Sequence, residues 1–278
     1  TDLPGWFVIV MAIFAGFLGG ASWGGIPGAL KAYFNVNEIL STVMMNAIAV
    51  QIMNFMLRGP MIDPVQLEKA SKIPQTARLA EAFRLPRLAP TRLHLGFIIA
   101  IALAILVYIL LWRTTLGYRI RAVGQNPHAS RYGGIRVRRR IVTALLLSGA
   151  LAGIAGAIQV YGVNYRMITD GSSTGFTGGA GFNGIVAALF GQLHPIGTIP
   201  ASIFFGALLV GANKMQRAVQ IPSALIGALN GLVVIFVVSS EIWRNKRQKE
   251  RLSIESDVVN MGETPPDEPT STPEEVIA

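Results

Sequence analysis

Residues 4–30, 93–112, 141–162, 182–193 and 196–212 contain no Asp, Glu, Lys or Arg, and two further stretches, 38–57 and 221–241, hold a single Glu each at one end. An α-helix needs roughly 20 apolar residues to cross the hydrocarbon core of a bilayer. Six of these seven runs are near or above that length. Segment 182–193 is shorter and reads as a half-helix buried among other helices, because polar backbone in the membrane must be satisfied inside protein. Composition agrees: 51% of the 278 residues are hydrophobic and 14% are charged, against about 25% charged residues in a soluble domain. The chain is therefore expected to be all-α, a polytopic transmembrane helical bundle with six to seven membrane segments.

The charges that remain orient the bundle. Loop 113–140 carries Arg113, Arg119, Arg121, Arg131, Arg136, Arg138, Arg139 and Arg140 and no acid, and the segment after the last run carries Arg244, Lys246, Arg247, Lys249 and Arg251. Arginine and lysine concentrate on the cytoplasmic side of membrane proteins, so both segments, and with them the C-terminus, are expected there. The net charge of +9 has the same origin and does not indicate nucleic-acid binding. Loop 58–92 has seven basic and three acidic residues, yet it must be external if 93–112 crosses once. The N-terminus then also lies outside, and further spans are expected to precede Thr1. The final run, 252–278, is acidic and proline-rich and reads as a disordered cytoplasmic tail.

Glycines mark where helices approach one another. Gly16, Gly20, Gly24 and Gly28 recur at four-residue spacing, which places them along one stripe of the first helix; Gly149 with Gly153, and Gly227 with Gly231, repeat the spacing. Such stripes let two backbones pack closely in a membrane.

Several chemistries are missing. There is no GxxxxGK[ST] phosphate loop, no HExxH, and no Cys; His94, His128 and His194 stand apart without ligand spacing. No metal, cofactor or catalytic centre is expected in this chain. Ionisable residues are also nearly absent from the span interiors, with Glu38 and Glu241 at span ends, whereas proton-coupled carriers place Asp, Glu or His within the membrane. Sodium coupling through neutral oxygens stays open.

The loop RAVGQNPHASRYGGIRVRRR (121–140) contains more than a positive anchor. Asn126 followed by Pro127 is a helix start, the amide side chain accepting from an exposed backbone N–H and proline fitting the first helical position. Gly133 and Gly134 supply a stop that uses left-handed backbone. A short helix over 127–132 is predicted, presenting Ala129, Tyr132 and then Ile135 between arginines.

LGYRIRAVGQNPHASRYGGIRV (116–137) resembles the cytoplasmic loop of ABC-transporter permeases for simple sugars, nucleosides and branched-chain amino acids. The resemblance rests on Gly124, Asn126, Pro127, Ala129, Arg131, Gly134 and Ile135; Ser130 and Gly133 depart from the commoner pattern. GASWGGIPGALKAYFNVNEILSTVMMNAIA (20–49) is similar to the nucleoside branch, and GGAGFNGIVAALFGQLHPIGTIPASIFFGALLVG (178–211) to a broken helix followed by a glycine-rich span. The resemblance covers 1–245 as one permease domain. It implies an importer in the plasma membrane with a second permease subunit, the same or paralogous. A separate ATP-binding subunit would hold ATP and Mg, and an external lipoprotein would deliver solute. It also implies that 127–132 is a coupling helix, with Ala129 and Tyr132 seated in a groove of the ATPase and Arg131 orienting it. Nucleosides are the expected cargo; ribose or another simple sugar, branched-chain amino acids, a self-contained secondary carrier and a purely structural membrane subunit are the alternatives.

Polar or aromatic residues at membrane depth are the candidates for the pathway: Trp23, Asn46, Gln51, Asn54, Phe182 and Asn183. Amides can hydrogen-bond ribose hydroxyls or base edges, and the rings can stack on a base; equally, each amide can join helix to helix. The glycine-rich loop 163–184 is expected outside, as a contact for the solute-binding protein or as a flexible connection.

Overall fold

The computed structural model describes residues 4–67, 73–88, 93–172 and 175–219, and the separate helical residues 231, 232, 235, 236, 239 and 243. In chain order the helices are α1 (Gly5–Phe34), α2 (Glu38–Arg58), α3 (Pro64–Leu67), α4 (Leu95–Arg113), α5 (Thr115–Gln125), α6 (Pro127–Tyr132), α7 (Val137–Ile158), α8 (Ala180–Phe190) and α9 (Pro195–Val219). A 3-10 turn covers Glu81–Phe83, and α7 runs on into a π-helical turn, Gln159–Asn164. No strand occurs among the described residues, only two isolated bridges.

Among the described residues, five helices are long and apolar enough to cross a membrane: α1, α2, α4, α7 with its π-turn, and α9 up to Gln216. The protein is a polytopic helical membrane bundle, as its apolar runs require. Large apolar side chains such as Phe14, Ile39 and Phe55 stand exposed on these helices, which suits a surface facing lipid or other subunits rather than water. The chain forms two compact units, 1–208 and 209–278. The first holds α1 to α8 and most of α9; the second holds the end of α9 and the separate helical residues. The run expected over 221–241 lies largely outside the described residues, as do Gly227, Glu241 and the tail from 252.

In the first unit, α1 and α7 lie antiparallel with their glycines face to face. A Cβ at Gly24 would stand 2.7 Å from the Leu145 carbonyl oxygen, and one at Gly16 would stand 2.8 Å from that of Gly153. At Gly20 it would meet the carbonyl of Gly149 and come within 2.9 Å of the Gly153 Cα. The two stripes read separately from the sequence are thus the two halves of one contact.

Short polar connections set the other helix ends. Asn37 caps α2 by accepting from the Ile39 N–H at 2.9 Å, and Lys31 near the end of α1 pairs with Glu38 at 2.5 Å. Thr114 joins α4 to α5 by donating to the Leu110 carbonyl at 2.6 Å and accepting from the Gly117 N–H at 3.1 Å. Gly117 packs against the backbone of Leu110 and Leu111, so α5 folds back sharply from α4. The 11-residue α8 spans about 16 Å, roughly half a bilayer core, as its sequence implied. Gln192 and Leu193 adopt left-handed backbone after it, and Gly191 lies against Gly197. Phe190 then packs on Phe204 and Phe205, with ring centroids 6.1 and 5.8 Å apart.

Any side chain at Gly20 must push α1 and α7 apart, whereas a Cβ at Gly19 meets nothing within 4 Å. Gly20→Leu is expected to cost about 3 kcal/mol or more through overpacking. Gly19→Ala is expected to be neutral or slightly stabilising, because alanine is the better helix former. Thermal unfolding of the detergent-purified protein measures both, and equal effects would contradict the close approach.

Candidate functional site

Two ends of the bundle carry the candidate residues. At the arginine-rich end, α6 occupies Pro127–Tyr132, the span expected from its sequence. The Asn126 side chain accepts from the Ala129 N–H at 3.0 Å. The chain stops where Gly134 takes left-handed backbone at φ +75°. Gly133 does not share that role: at φ −73° it is ordinary backbone, so the left-handed position belongs to Gly134 alone.

Ala129 and Arg131 are exposed and Ile135 is half-buried. Tyr132 is 94% exposed, an apolar ring held out between arginines. Ser130 turns inward and is buried, which suits a small residue at that position. A Cβ at Gly124 would meet nothing within 4 Å, so packing inside this chain does not explain glycine there.

Sequence reading missed α5, which precedes α6. Its signal was Thr114 followed three residues later by Gly117, a cap and a close turn. Arg121 of α5 lies over the Trp112 ring at 4.9 Å. Trp112 in turn stacks on Tyr108 at 5.5 Å and meets His194 at 4.8 Å. This ring cluster joins α5 to α4 and to the turn between α8 and α9.

At the opposite end, the proline-rich loop is stitched to the segment following α7. Leu79 and Thr76 donate through their amides to the carbonyls of Tyr165 and Met167, at 2.8 and 2.9 Å. Leu85 donates to that of Tyr161 at 3.0 Å, and Thr169 donates back to Pro74 at 3.1 Å. Arg84 lies over the Tyr165 ring at 4.9 Å. Residues 163–169, the start of the glycine-rich loop expected over 163–184, are therefore tied down, and left-handed glycines follow at Gly171, Gly178 and Gly179.

This stitching brings two of the pathway candidates to a partner. Thr169 donates its hydroxyl to the Asn54 side-chain oxygen at 2.6 Å, and the Asn54 amide reaches Gln51 at 3.5 Å. Gln51, Asn54, Phe55, Arg58 and Gly171 line a cavity of about 540 Å³. Thr169 could not be found from sequence, since it lies 115 residues from Asn54.

The remaining candidates do not line this cavity. Trp23 is half-buried on α1, and Asn46 is exposed on α2. Phe182 and Asn183 lie in the first turn of α8, with Phe182 exposed. Pro27 lies inside α1 and has no N–H to give the Trp23 carbonyl four residues earlier. A backbone acceptor beside that indole therefore loses its usual helical partner.

A short capped helix between arginines at one end and a cavity lined by Gln51, Asn54 and Arg58 at the other thus flank the spans of a polytopic helical membrane protein. The family described as "Branched-chain amino acid transport system / permease component" matches residues 3–238. Over 239 residues the chain is 36% identical to the guanosine ABC transporter permease protein NupP of Bacillus subtilis, covering 86% of this chain and 67% of that one. It is 30% identical over 258 residues to the glucose ABC transporter permease protein TsgB13 of Haloferax volcanii, covering 89% and 65%. To the nucleoside ABC transporter permease protein NupB of Lactococcus lactis subsp. cremoris it is 29% identical over 240 residues, covering 85% and 65%. No solved structure matches the chain. The chain belongs to the branched-chain amino acid transport system permease family, and it spans about two thirds of the length of these curated relatives.

His94 gives the proline-rich end a pH dependence. Its Nδ1 accepts from the Gly96 N–H at 3.1 Å and caps α4, a bond that only the neutral ring can accept. Burial lowers its pKa below the ordinary histidine value. The unfolded chain therefore takes up the proton first, so stability is full above about pH 6.5 and falls as the pH drops through that value. Thermal unfolding between pH 7.5 and 5.5 is expected to show this loss, and His94→Asn, which keeps an acceptor at the cap, to flatten it. An unchanged pH profile in the variant would remove His94 from the explanation.

Proposed function

We propose that this chain is the membrane-spanning permease subunit of an ATP-driven importer of nucleosides. The observation that carries the reading is α6, a helix capped at Asn126, ended at Gly134 and offering Tyr132 almost fully exposed. The described residues leave the Tyr132 ring uncovered, and a groove on a partner would cover it. In this reading the partner is the ATP-binding subunit, which holds ATP and Mg. The arginine-rich end, 113–140, faces the cytoplasm, and the proline-rich end faces the solute-binding protein.

The geometry suits force transmission. α6 leads directly into α7, and α7 is locked to α1 by glycine contacts that leave no slack. Displacement of α6 by the ATPase would thus move two spans together. Arg131 stands beside Tyr132 and is free to orient the docking, while the arginines at 136 and 138–140 hold the loop beside the membrane. At the other end, the amides of Gln51 and Asn54 suit ribose hydroxyls or base edges.

Nucleosides are favoured because two of the three relatives above are guanosine and nucleoside permeases, one of them at 36% identity. A simple sugar is the second reading, favoured by the glucose permease at 30% identity.

Tyr132→Asp is expected to leave membrane insertion intact and to reduce ATP-dependent uptake at least tenfold, since a desolvated aromatic anchor is worth about 2 kcal/mol or more. Unchanged uptake at equal protein level would defeat the role given to α6. Substrate is decided separately, with labelled guanosine and labelled glucose supplied to cells expressing the whole transporter. Guanosine uptake blocked by excess adenosine and not by glucose is expected; glucose uptake alone would keep the importer and overturn the cargo.

A further inference from the structure

The proline-rich end holds a second cavity, of about 370 Å³, whose lining includes Arg78, Arg87, His94, Val163 and Asn164 and, among the described residues, no acidic side chain. The neighbouring Arg84 is committed: it donates to the Leu79 carbonyl and to Glu81 and covers the Tyr165 ring. Arg78 and Arg87 have no such commitment, neither making a side-chain hydrogen bond or ion pair among the described residues. His94 accepts at Nδ1 from Gly96, so its neutral ring carries the proton on Nε2 and can donate there. Gly162 lies against this ring, where a Cβ would stand 2.9 Å from Cε1. The cavity therefore offers an imidazole donor and two guanidinium groups that are unpaired among the described residues.

It is not a closed anion hole. A groove of about 500 Å³ adjoins it, lined by Leu93, Phe97, Ile158 and Val163 among others, and the two share His94 and Val163. The groove is built from the first turn of α4 and the end of α7, two membrane-spanning helices. A cationic pocket continuous with an apolar groove at the ends of two spans matches one kind of molecule. Its phosphate is anionic and its tail lies in the hydrocarbon.

We propose that Arg78, Arg87 and His94 bind the phosphate of an anionic glycerophospholipid from the adjoining leaflet, with an acyl chain laid along Leu93, Phe97, Ile158 and Val163. Arginine suits this role because its planar fork meets phosphate oxygens in pairs. Among the described residues the lining holds no carboxylate to receive the ammonium of a zwitterionic headgroup, which favours a net negative lipid. By tying the loop carrying Arg78 and Arg87 to the ends of α4 and α7, the lipid would brace the stitched proline-rich end.

The test uses the assembled transporter, purified in mild detergent and stripped of loosely held lipid. Phosphatidylglycerol, phosphatidylcholine or inorganic phosphate is added, and retention is read by native mass spectrometry beside the thermal midpoint. Phosphatidylglycerol is expected to be retained about tenfold better than phosphatidylcholine, the worth of roughly one charge-assisted contact. It should also raise the midpoint, and both effects should weaken at high salt. Arg78→Gln with Arg87→Gln should abolish the preference, whereas Arg78→Lys with Arg87→Lys should keep part of it. Equal retention of the two lipids in the wild-type transporter overturns the proposal even if a variant fails to assemble. So does a midpoint shift reproduced in full by inorganic phosphate, which would mark a free-anion site. Failure of the assembled transporter to retain any phospholipid, as when a neighbouring subunit covers the groove, also overturns it. None of these outcomes depends on which solute is carried.

Discussion

Within a bilayer the hydrophobic effect does not draw one apolar helix to another, because lipid tails are as apolar as leucine. Helices must associate through close packing, and in this protein that packing is concentrated where α1 meets α7. Gly16, Gly20 and Gly24 bring the α1 backbone against Gly149, Gly153 and Leu145, closely enough that a single added carbon would collide with a carbonyl. Much else depends on this contact. α7 carries α6 at one end and the π-turn with Tyr165 at the other, so the α1–α7 pair links the arginine-rich end to the proline-rich end. Shifting it would move the helix offered to a partner and loosen the loop bonded to residues 161–169.

The two ends differ in how they are held. The arginine-rich end is organised by local chemistry: Thr114 and Gly117 turn α5 back from α4, Asn126 starts α6, and Gly134 ends it. Each device acts over a few residues, so the end keeps its shape through short-range bonds and leaves Tyr132 unburied. The proline-rich end is organised by long-range bonds, from Thr76, Leu79 and Leu85 to residues 161–167 and from Thr169 to Asn54. In the proposed reading the tied end admits the solute and the exposed ring receives the force of the partner. The proposed lipid site lies at the same proline-rich end, where Arg78 and Arg87 line a cavity with His94 and residues 162–165.

His94 shows how one residue serves several demands. From sequence it read as an isolated loop or interface histidine. It proves to cap α4, to lie against Gly162, and to line both the basic cavity and the apolar groove. His194 likewise enters a ring cluster with Trp112 and Tyr108. The cap at His94 and the ring contacts of His194 are packing roles, in which the ring supplies a flat surface and one well-placed nitrogen or edge.

Sequence by itself determined the membrane class, the boundaries of α1, α2 and α4 within a few residues, the half-length of α8 and the whole of α6. It could do so because apolar run length, Asn-Pro capping and Gly stops act locally, and the tertiary environment had only to accept them. It also showed the glycine stripes, but not that the stripe of α1 faces the stripe of α7, since a stripe names a face and not its partner. The tertiary structure alone decided that pairing, the fold-back of α5, the bond from Thr169 to Asn54, and the meeting of Arg78, Arg87 and His94 around one cavity. Those features join residues far apart in the chain or depend on a close backbone approach. No local pattern of residues encodes which distant segment will arrive there.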